Sequence, residues 1–527
     1  MNRYFGVFVG ALTAFVSPAA LANSVDVPEK PTFAEHVAPI FYSNCISCHR
    51  PGEVAPMSLL TFEEARPWAK SIKENVTNGK MPPWHATESV GPFTNDRSLE
   101  PNEVETIARW AAKPVLGDKS KMPALPEFPD PTKWKLGTPD LVVTLDAKQV
   151  PAEGSDQFFE IPAKTGLTED KWITAIEVMP SNRKVTHHVI VWQLDENGDR
   201  MNGWLGAWAA GMGPMEFPKG AGRFMPKGGS ILGDMHYHTV GEAATDTTKV
   251  GLHFAKVPVE KELVNLWIVN QEFEIPAGAE NYGARANFTF PQDSYIMGFL
   301  PHMHYRGKDF TYTARYPDGR KETLLAVNKY DFNWQTNYQL AEPLLVPKGT
   351  RIDCEAHWNN SASNLANPDP TKTVRNGSES YDEMMIGFVD YVVKEGVRPL
   401  SPDDLIAQKA SEIFAEHPGE VYIANATAKE PGGKEQYFPG LMHIAKGAET
   451  GTWYINLLGS TYEAPITKAA WDATGVSGDV AIMGVGKFPF HVSVDGATGD
   501  VTGKIDVTQT GDGDQSFSLE VKGHLVK

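Results

Sequence analysis

Residues 294–320 read SYIMGFLPHMHYRGKDFTYTARYPDGR. The run is rich in Ile, Phe, Tyr and Thr and closes on the turn residues Pro317-Asp318-Gly319, which reads as strand rather than helix. His302 and His304 lie two residues apart within it. Successive side chains of a strand alternate between faces, so i and i+2 share one, and both imidazoles can reach the same metal ion.

The same texture extends in both directions. From Asp140 onward, short runs rich in Val, Ile, Phe and Trp alternate with turn clusters: DLVVTL, QFFEIP, WITAIEVMP, HHVIVWQL, SILGDMHYHTV, KVGLHFAK and LVNLWIVN. From Glu272 a second series follows, through DFTYTARYPDGRKETLLAV, YQLAEPLLVP, TRIDCEAHW and MMIGFVDYVV. These predict two all-β domains, 140–270 and 271–398. Beyond them, DDLIAQKASEIFAEH has helical character, and strand-like runs such as TWYINLLGS and FHVSVDG return, predicting a mostly-β domain over 399–527. No catalytic role is assigned to that domain.

Six histidines of the two central domains gather into three clusters: His187-His188, His236 with His238, and His302 with His304. A β-sandwich has no packing reason to gather imidazoles. Isolated histidines are ordinarily hydrogen-bonded or solvated, and His36, His253 and His357 belong with those. Adjacent histidines face opposite sides of a regular strand, so His187 and His188 can serve one ion only if a bulge or strand end re-aims one of them. A thioether is also at hand in SESYDEMM, where Met384 and Met385 follow three carboxylates. Imidazoles with one methionine favour copper, because soft sulfur binds cuprous ion well and structural zinc usually recruits Cys or carboxylate.

Cys45-Ile46-Ser47-Cys48-His49 is a CxxCH sequence. Both thiols can add to the vinyl groups of a haem while the adjacent imidazole takes the proximal iron position. The order helix, CxxCH, helix, methionine loop, helix over 23–113 resembles a class I cytochrome c. Met81, in the Pro-bounded KMPPWH loop, is the preferred distal ligand, with His85 and Met57 as alternatives. A Pro-rich connector, 114–139, follows.

Residues 1–22 have the charged start, short apolar run and Ala20-Leu21-Ala22 site of a secretory signal, and no later stretch is long enough to span a membrane. The expectation is an exported, soluble periplasmic protein without a membrane anchor. A chain of 527 residues exceeds one hydrophobic core. Its formal charge of −18 argues against nucleic acid as partner, and three cysteines exclude a disulfide framework.

In this order, HHVIVW, DMHYH, HMHYRG and SESYDEMM resemble the motifs of the type II copper, ascorbate-dependent monooxygenases, the family of the peptidylglycine alpha-hydroxylating and dopamine beta-monooxygenases. The resemblance covers roughly residues 137–395. It implies that His187, His188 and His236 hold an electron-transfer copper and that His302, His304 and Met384 hold the oxygen-reacting copper. Met385 would point elsewhere. Tyr237, His238 and Tyr305 would stand beside the ligands or line the pocket. The implied fold is a pair of jelly-roll-like antiparallel β-sandwiches with the two coppers facing across an open cleft.

The full expectation is therefore a multidomain chain: a small all-α cytochrome c domain, the two sandwiches, and the C-terminal mostly-β domain. The expected cofactors are two copper ions and one covalently bound haem c. The implied reaction hydroxylates a C–H bond of a small organic or peptide-like substrate with O2. Electrons would come from a periplasmic donor or a small-molecule reductant, relayed by the haem. The alternative is a periplasmic haem and copper electron-transfer or copper-binding protein without oxygenase turnover.

Overall fold

A computed structural model describes residues 27–526, apart from 54, 129, 131, 199, 210–211, 378, 418–420, 430–434, 446, 458–459, 473, 483–485, 496 and 510–514. The expected signal sequence lies outside the described residues. The described residues form two compact units, one of 27–51, 55–82 and 98–126 and the other of 52–53, 83–97 and 127–526. Among the described residues no helix is long and apolar enough to cross a membrane.

The expected architecture needs correction at its N-terminus, where the described residues form no separate all-α cytochrome domain. The chain is mostly β, 44% strand and 13% helix. The N-terminal helices are short, with Ala38–Asn44, Phe62–Ala65, Ala69–Thr77 and Pro101–Ala112 packed on Phe33, Phe41 and Trp110. Between the last two of these helices, residues 83–97 leave the helical unit for the β unit. Ala86–Ser89 there pairs antiparallel with Lys321–Val327 and becomes an edge strand of a five-stranded sheet. Trp84 packs against Tyr338 at 4.9 Å, and Phe93 bridges to Leu340. This ATES strand is four residues long and mostly exposed, so it has none of the alternation that betrays a buried strand.

The first sandwich opposes a four-stranded sheet, in the order Gln157–Lys164, Ser230–Tyr237, Thr186–Leu194, Arg200–Ala209, to a six-stranded one centred on Lys171–Met179 and Lys249–Phe254. Val189, Val191 and Met235 of one sheet meet Ile173, Val250 and Leu252 of the other, all 0% exposed. The second sandwich opposes the five-stranded sheet to Val264–Val269, Ile386–Val393, Ser294–His302 and Tyr338–Val346. Its strand Arg351–Trp358 alternates by residue, with Ile352, Cys354, Ala356 and Trp358 inward. Gly387 faces Cys354 so closely that an added Cβ would lie 2.5 Å from its Sγ.

Ile386–Val393 is buried on both faces. Ile386 and Phe388 belong to the first core while Met385 and Val389 belong to the second, so this strand is a wall common to both sandwiches. Across it, Arg223 donates to Asp390 at 3.0 Å, and Asn265 Nδ2 donates to the same oxygen at 2.9 Å. The guanidinium is enclosed by the rings of Trp204 and Phe217.

The C-terminal region is a nine-stranded antiparallel sheet that closes into a barrel where Val421–Lys429 pairs with Gln515–Leu525, with Glu435–Phe438 paired, among the described residues, only to Val421–Lys429. Helix Pro402–Glu416 packs Ile406, Ala410 and Ile413 on Leu441 of the barrel. A capping box starts it: the Ser401 hydroxyl accepts from the Asp404 amide, and the Asp404 carboxylate accepts from the Ser401 amide. Ser401→Ala is expected to cost about 1 kcal/mol, measured as faster amide hydrogen exchange across the helix.

Candidate metal centre

The register of Ser230–Tyr237 against Thr186–Leu194 decides the first cluster. Met235 lies opposite Val189 and His236 opposite His188, but Tyr237 lies opposite Thr186. His187 is thus an extra residue in its strand, a β-bulge, and the bulge turns its ring to the side on which His188 and His236 stand. The Nδ1 atoms of His187 and His188 are 3.1 Å apart, and one ligand nitrogen from each of the three residues falls within 4.8 Å of the others. His238 is peripheral, with its ring 5.7 Å from that of His187. Tyr237 points away into the core, where its hydroxyl donates to Asp246 Oδ2 at 3.0 Å. Asp246 Oδ1 accepts the Asn182 amide just ahead of the histidine pair, so one buried carboxylate ties together both strands that carry the cluster.

Burial, with the neighbouring imidazoles His236 and His238, pushes the His187 pKa down to about 4. His188 lies well below the ordinary value because of burial, then His236, His187 and His302. Both imidazoles are therefore neutral at pH 7, the form that binds metal. His236 is held differently. Its Nε2 donates to the Asp156 carboxylate at 2.7 Å, which leaves Nδ1 a bare lone pair, buried and without any hydrogen-bond partner. A buried polar atom left unsatisfied costs about 1–3 kcal/mol, and an ion at the centre of the trio would satisfy it. The donor set fits a metal.

A pH dependence follows. The unfolded chain takes up a proton near the ordinary histidine value of 6.5 and folded His187 only near about 4, so the unfolded state binds more protons in between. The metal-free protein is expected to be stable above that window and to lose stability as pH falls through it. Metal should suppress the loss. Thermal unfolding at pH 7 and pH 5, with and without cupric ion, checks this.

The second cluster stands where Ser294–His302 meets the wall strand. His302 is opposite Ile386 and Leu300 opposite Phe388. Met384 is half-buried against the first core, whereas Met385 is 0% exposed in the second, so the two methionines face opposite ways. The His302 and His304 rings are 5.2 Å apart and perpendicular. His304 Nδ1 lies 3.3 Å from the Asp382 carbonyl, and burial pushes its pKa down to about 3.

Glu383 locks this arrangement. Fully buried, its carboxylate accepts the His304 amide at 2.8 Å, the Arg306 amide at 2.6 Å and the Trp358 indole at 2.9 Å. Burial raises its pKa to about 7 against those donors. The residue next to Met384 thus clasps the backbone on either side of Tyr305. The Arg306 side chain is committed to Asn360 and the Tyr381 carbonyl, out of reach of any anionic substrate.

One ring lies between the clusters. Phe332, 7% exposed, is centred 6.4 Å from His236, 5.9 Å from His304 and 4.7 Å from Tyr305. The space expected to be an open cleft therefore contains a phenyl group. Sequence reasoning missed Phe332, Asp156 and Gln335, whose Oε1 lies 2.6 Å from His302 Nδ1. No local motif marks them. They reach the site from loops far from the histidines in the chain: Gln335 lies 33 residues from His302 and Asp156 80 residues from His236.

In the helical unit, Cys45 to His49 form one turn, with the Cys48 and His49 amides donating to the Cys45 carbonyl. His49 Nδ1 donates to the Met57 carbonyl at 3.2 Å, which leaves Nε2 free for an iron. Burial, then Cys48, pushes the Cys45 thiol up to about 12. Two thiols and an imidazole with a free Nε2 on one turn fit covalent haem attachment. Met81 is half-buried in this unit, whereas His85 belongs to the other.

No family model matches the chain, and no curated protein matches it. Among solved structures, "Structure of infectious bursal disease virus Gx strain" aligns with 48% of this chain and 72% of its own, at 9% identity and a TM-score of 0.13. A likeness that slight carries no argument.

Proposed function

We propose that this protein is a periplasmic copper-dependent monooxygenase that hydroxylates a C–H bond of a small organic or peptide-like substrate. The observation that carries the reading is the three-imidazole cluster of His187, His188 and His236, with His302 and His304 on the far side of Phe332; Met384 is the thioether that would complete the second donor set. The overall change is R–H + O2 + 2 electrons + 2 protons giving R–OH and water. Copper, when bound, would store single electrons at two places and react with O2 at one of them. The protein's part is positional. Asp156 fixes His236 through Nε2, the bulge brings His187 alongside His188, Glu383 holds the backbone at His304, and the Phe332 and Tyr305 rings fill the gap. A haem on Cys45, Cys48 and His49 would supply electrons singly, in place of or alongside a small-molecule reductant.

A second reading is favoured by Phe332 itself. A filled gap suits a copper-binding or electron-transfer protein that turns nothing over. The test loads the purified protein with cupric ion, counts copper by elemental analysis and separates the sites by electron paramagnetic resonance. Two bound coppers, followed by reductant-dependent incorporation of label from 18O2 into a panel of small C–H compounds, establishes the oxygenase. Two coppers with reversible reduction and no label in any product establishes the second reading.

A further inference from the structure

Gln335 lies in the segment that joins Lys321–Val327 to Tyr338–Val346, and that segment is pinned to the second cluster at several points. The Tyr330 hydroxyl accepts the Met303 amide at 3.0 Å and donates to the Met303 carbonyl at 2.7 Å, gripping the residue between the two histidines. Gln335 Nε2 donates to the Phe332 carbonyl at 3.3 Å. This second bond settles which way the amide faces, because only its nitrogen can donate to a carbonyl. Oε1 is therefore the atom turned toward His302, 2.6 Å from Nδ1. An amide oxygen can only accept, so Nδ1 must carry the ring proton and Nε2 must carry the lone pair.

We propose that Gln335 is a positioning residue that sets the tautomer of His302, presenting Nε2 to the metal, and that the same amide holds the Phe332 backbone so that its ring stays between the two clusters. The assignment rests on the two-copper reading for the identity of the ion but not for the tautomer, which is a property of the metal-free protein. Where His302 would present Nε2, the first cluster offers Nδ1. The two sites would thus differ in ring orientation as well as in sulfur.

The test is 15N nuclear magnetic resonance of the metal-free protein labelled at histidine nitrogens, with His302 assigned by its loss in His302→Gln. The wild type should show His302 as the Nδ1–H tautomer. Gln335→Leu, similar in bulk but unable to accept, should populate the Nε2–H tautomer and weaken copper at this cluster by tenfold or more, within the range of about 10–100-fold usual for residues that orient a ligand. Gln335→Glu, which keeps the acceptor, should restore the wild-type tautomer. An Nε2–H proton on His302 in the wild type, or a Gln335→Leu protein with unchanged tautomer and copper affinity, overturns the proposal. A shifted tautomer in a protein that binds no copper upholds the role of Gln335 and rejects the two-copper reading.

Discussion

Asp390→Ala is expected to lower stability by about 3–5 kcal/mol, the cost of leaving a buried charge without its partner. Arg223 is 4% exposed, its only carboxylate contact among the described residues is Asp390, and its Nε lacks a hydrogen-bond partner there. Removing Asp390 would also leave Asn265 Nδ2 without its acceptor. The damage should fall on the wall between the sandwiches. Amide exchange ought to accelerate in Ile386–Val393 and in Arg200–Ala209 while the C-terminal barrel keeps its protection. Arg223→Met with Asp390→Leu together should recover much of the loss, because an apolar pair needs no charge compensation. If the single variant unfolds at the wild-type denaturant concentration, the pair is not the fastening described here.

His236→Ala is expected to reduce bound copper from two equivalents to one, with affinity at the first cluster falling more than about 100-fold, beyond the range typical of residues that merely orient a ligand. The metal-free variant should not be correspondingly unstable. His236 Nδ1 is a buried atom with no partner, so deleting it removes a desolvation cost and partly offsets the lost stacking against Phe158, 4.3 Å away. Copper analysis with thermal unfolding in chelator separates these effects. A core histidine would give the opposite pattern, with unchanged copper and a large loss of stability.

The strands were legible because burial on one face imprints a two-residue rhythm, as in Arg351–Trp358, and because Val, Ile and aromatic residues crowd the rest. The His187-His188 pair also announced its own irregularity. Side by side on a strand, the two could converge only through a bulge, and the register across His236 contains one. The short helices around Cys45 were legible too, but not the excursion through Ala86–Ser89. A four-residue polar edge strand takes its hydrogen bonds from a partner more than 230 residues away and leaves no periodic trace. The same limit hid Asp156, Phe332 and Gln335. Each is an ordinary loop residue made significant only by tertiary proximity. Glu383, by contrast, was visible beside Met384, though its triple grip on backbone and indole was not.

That excursion has a practical bearing on any attempt to shorten the protein. Among the described residues, the backbone of Lys321–Val327 is covered on one side by Ala86–Ser89 and by the Val90 amide, which donates to the Leu324 carbonyl. A fragment beginning anywhere after residue 97, at the apparent start of the β-rich region, would bare a row of amides and carbonyls ready to zip onto another molecule. Such fragments should self-associate more readily than one that begins before Trp84, measured by light scattering at matched concentration.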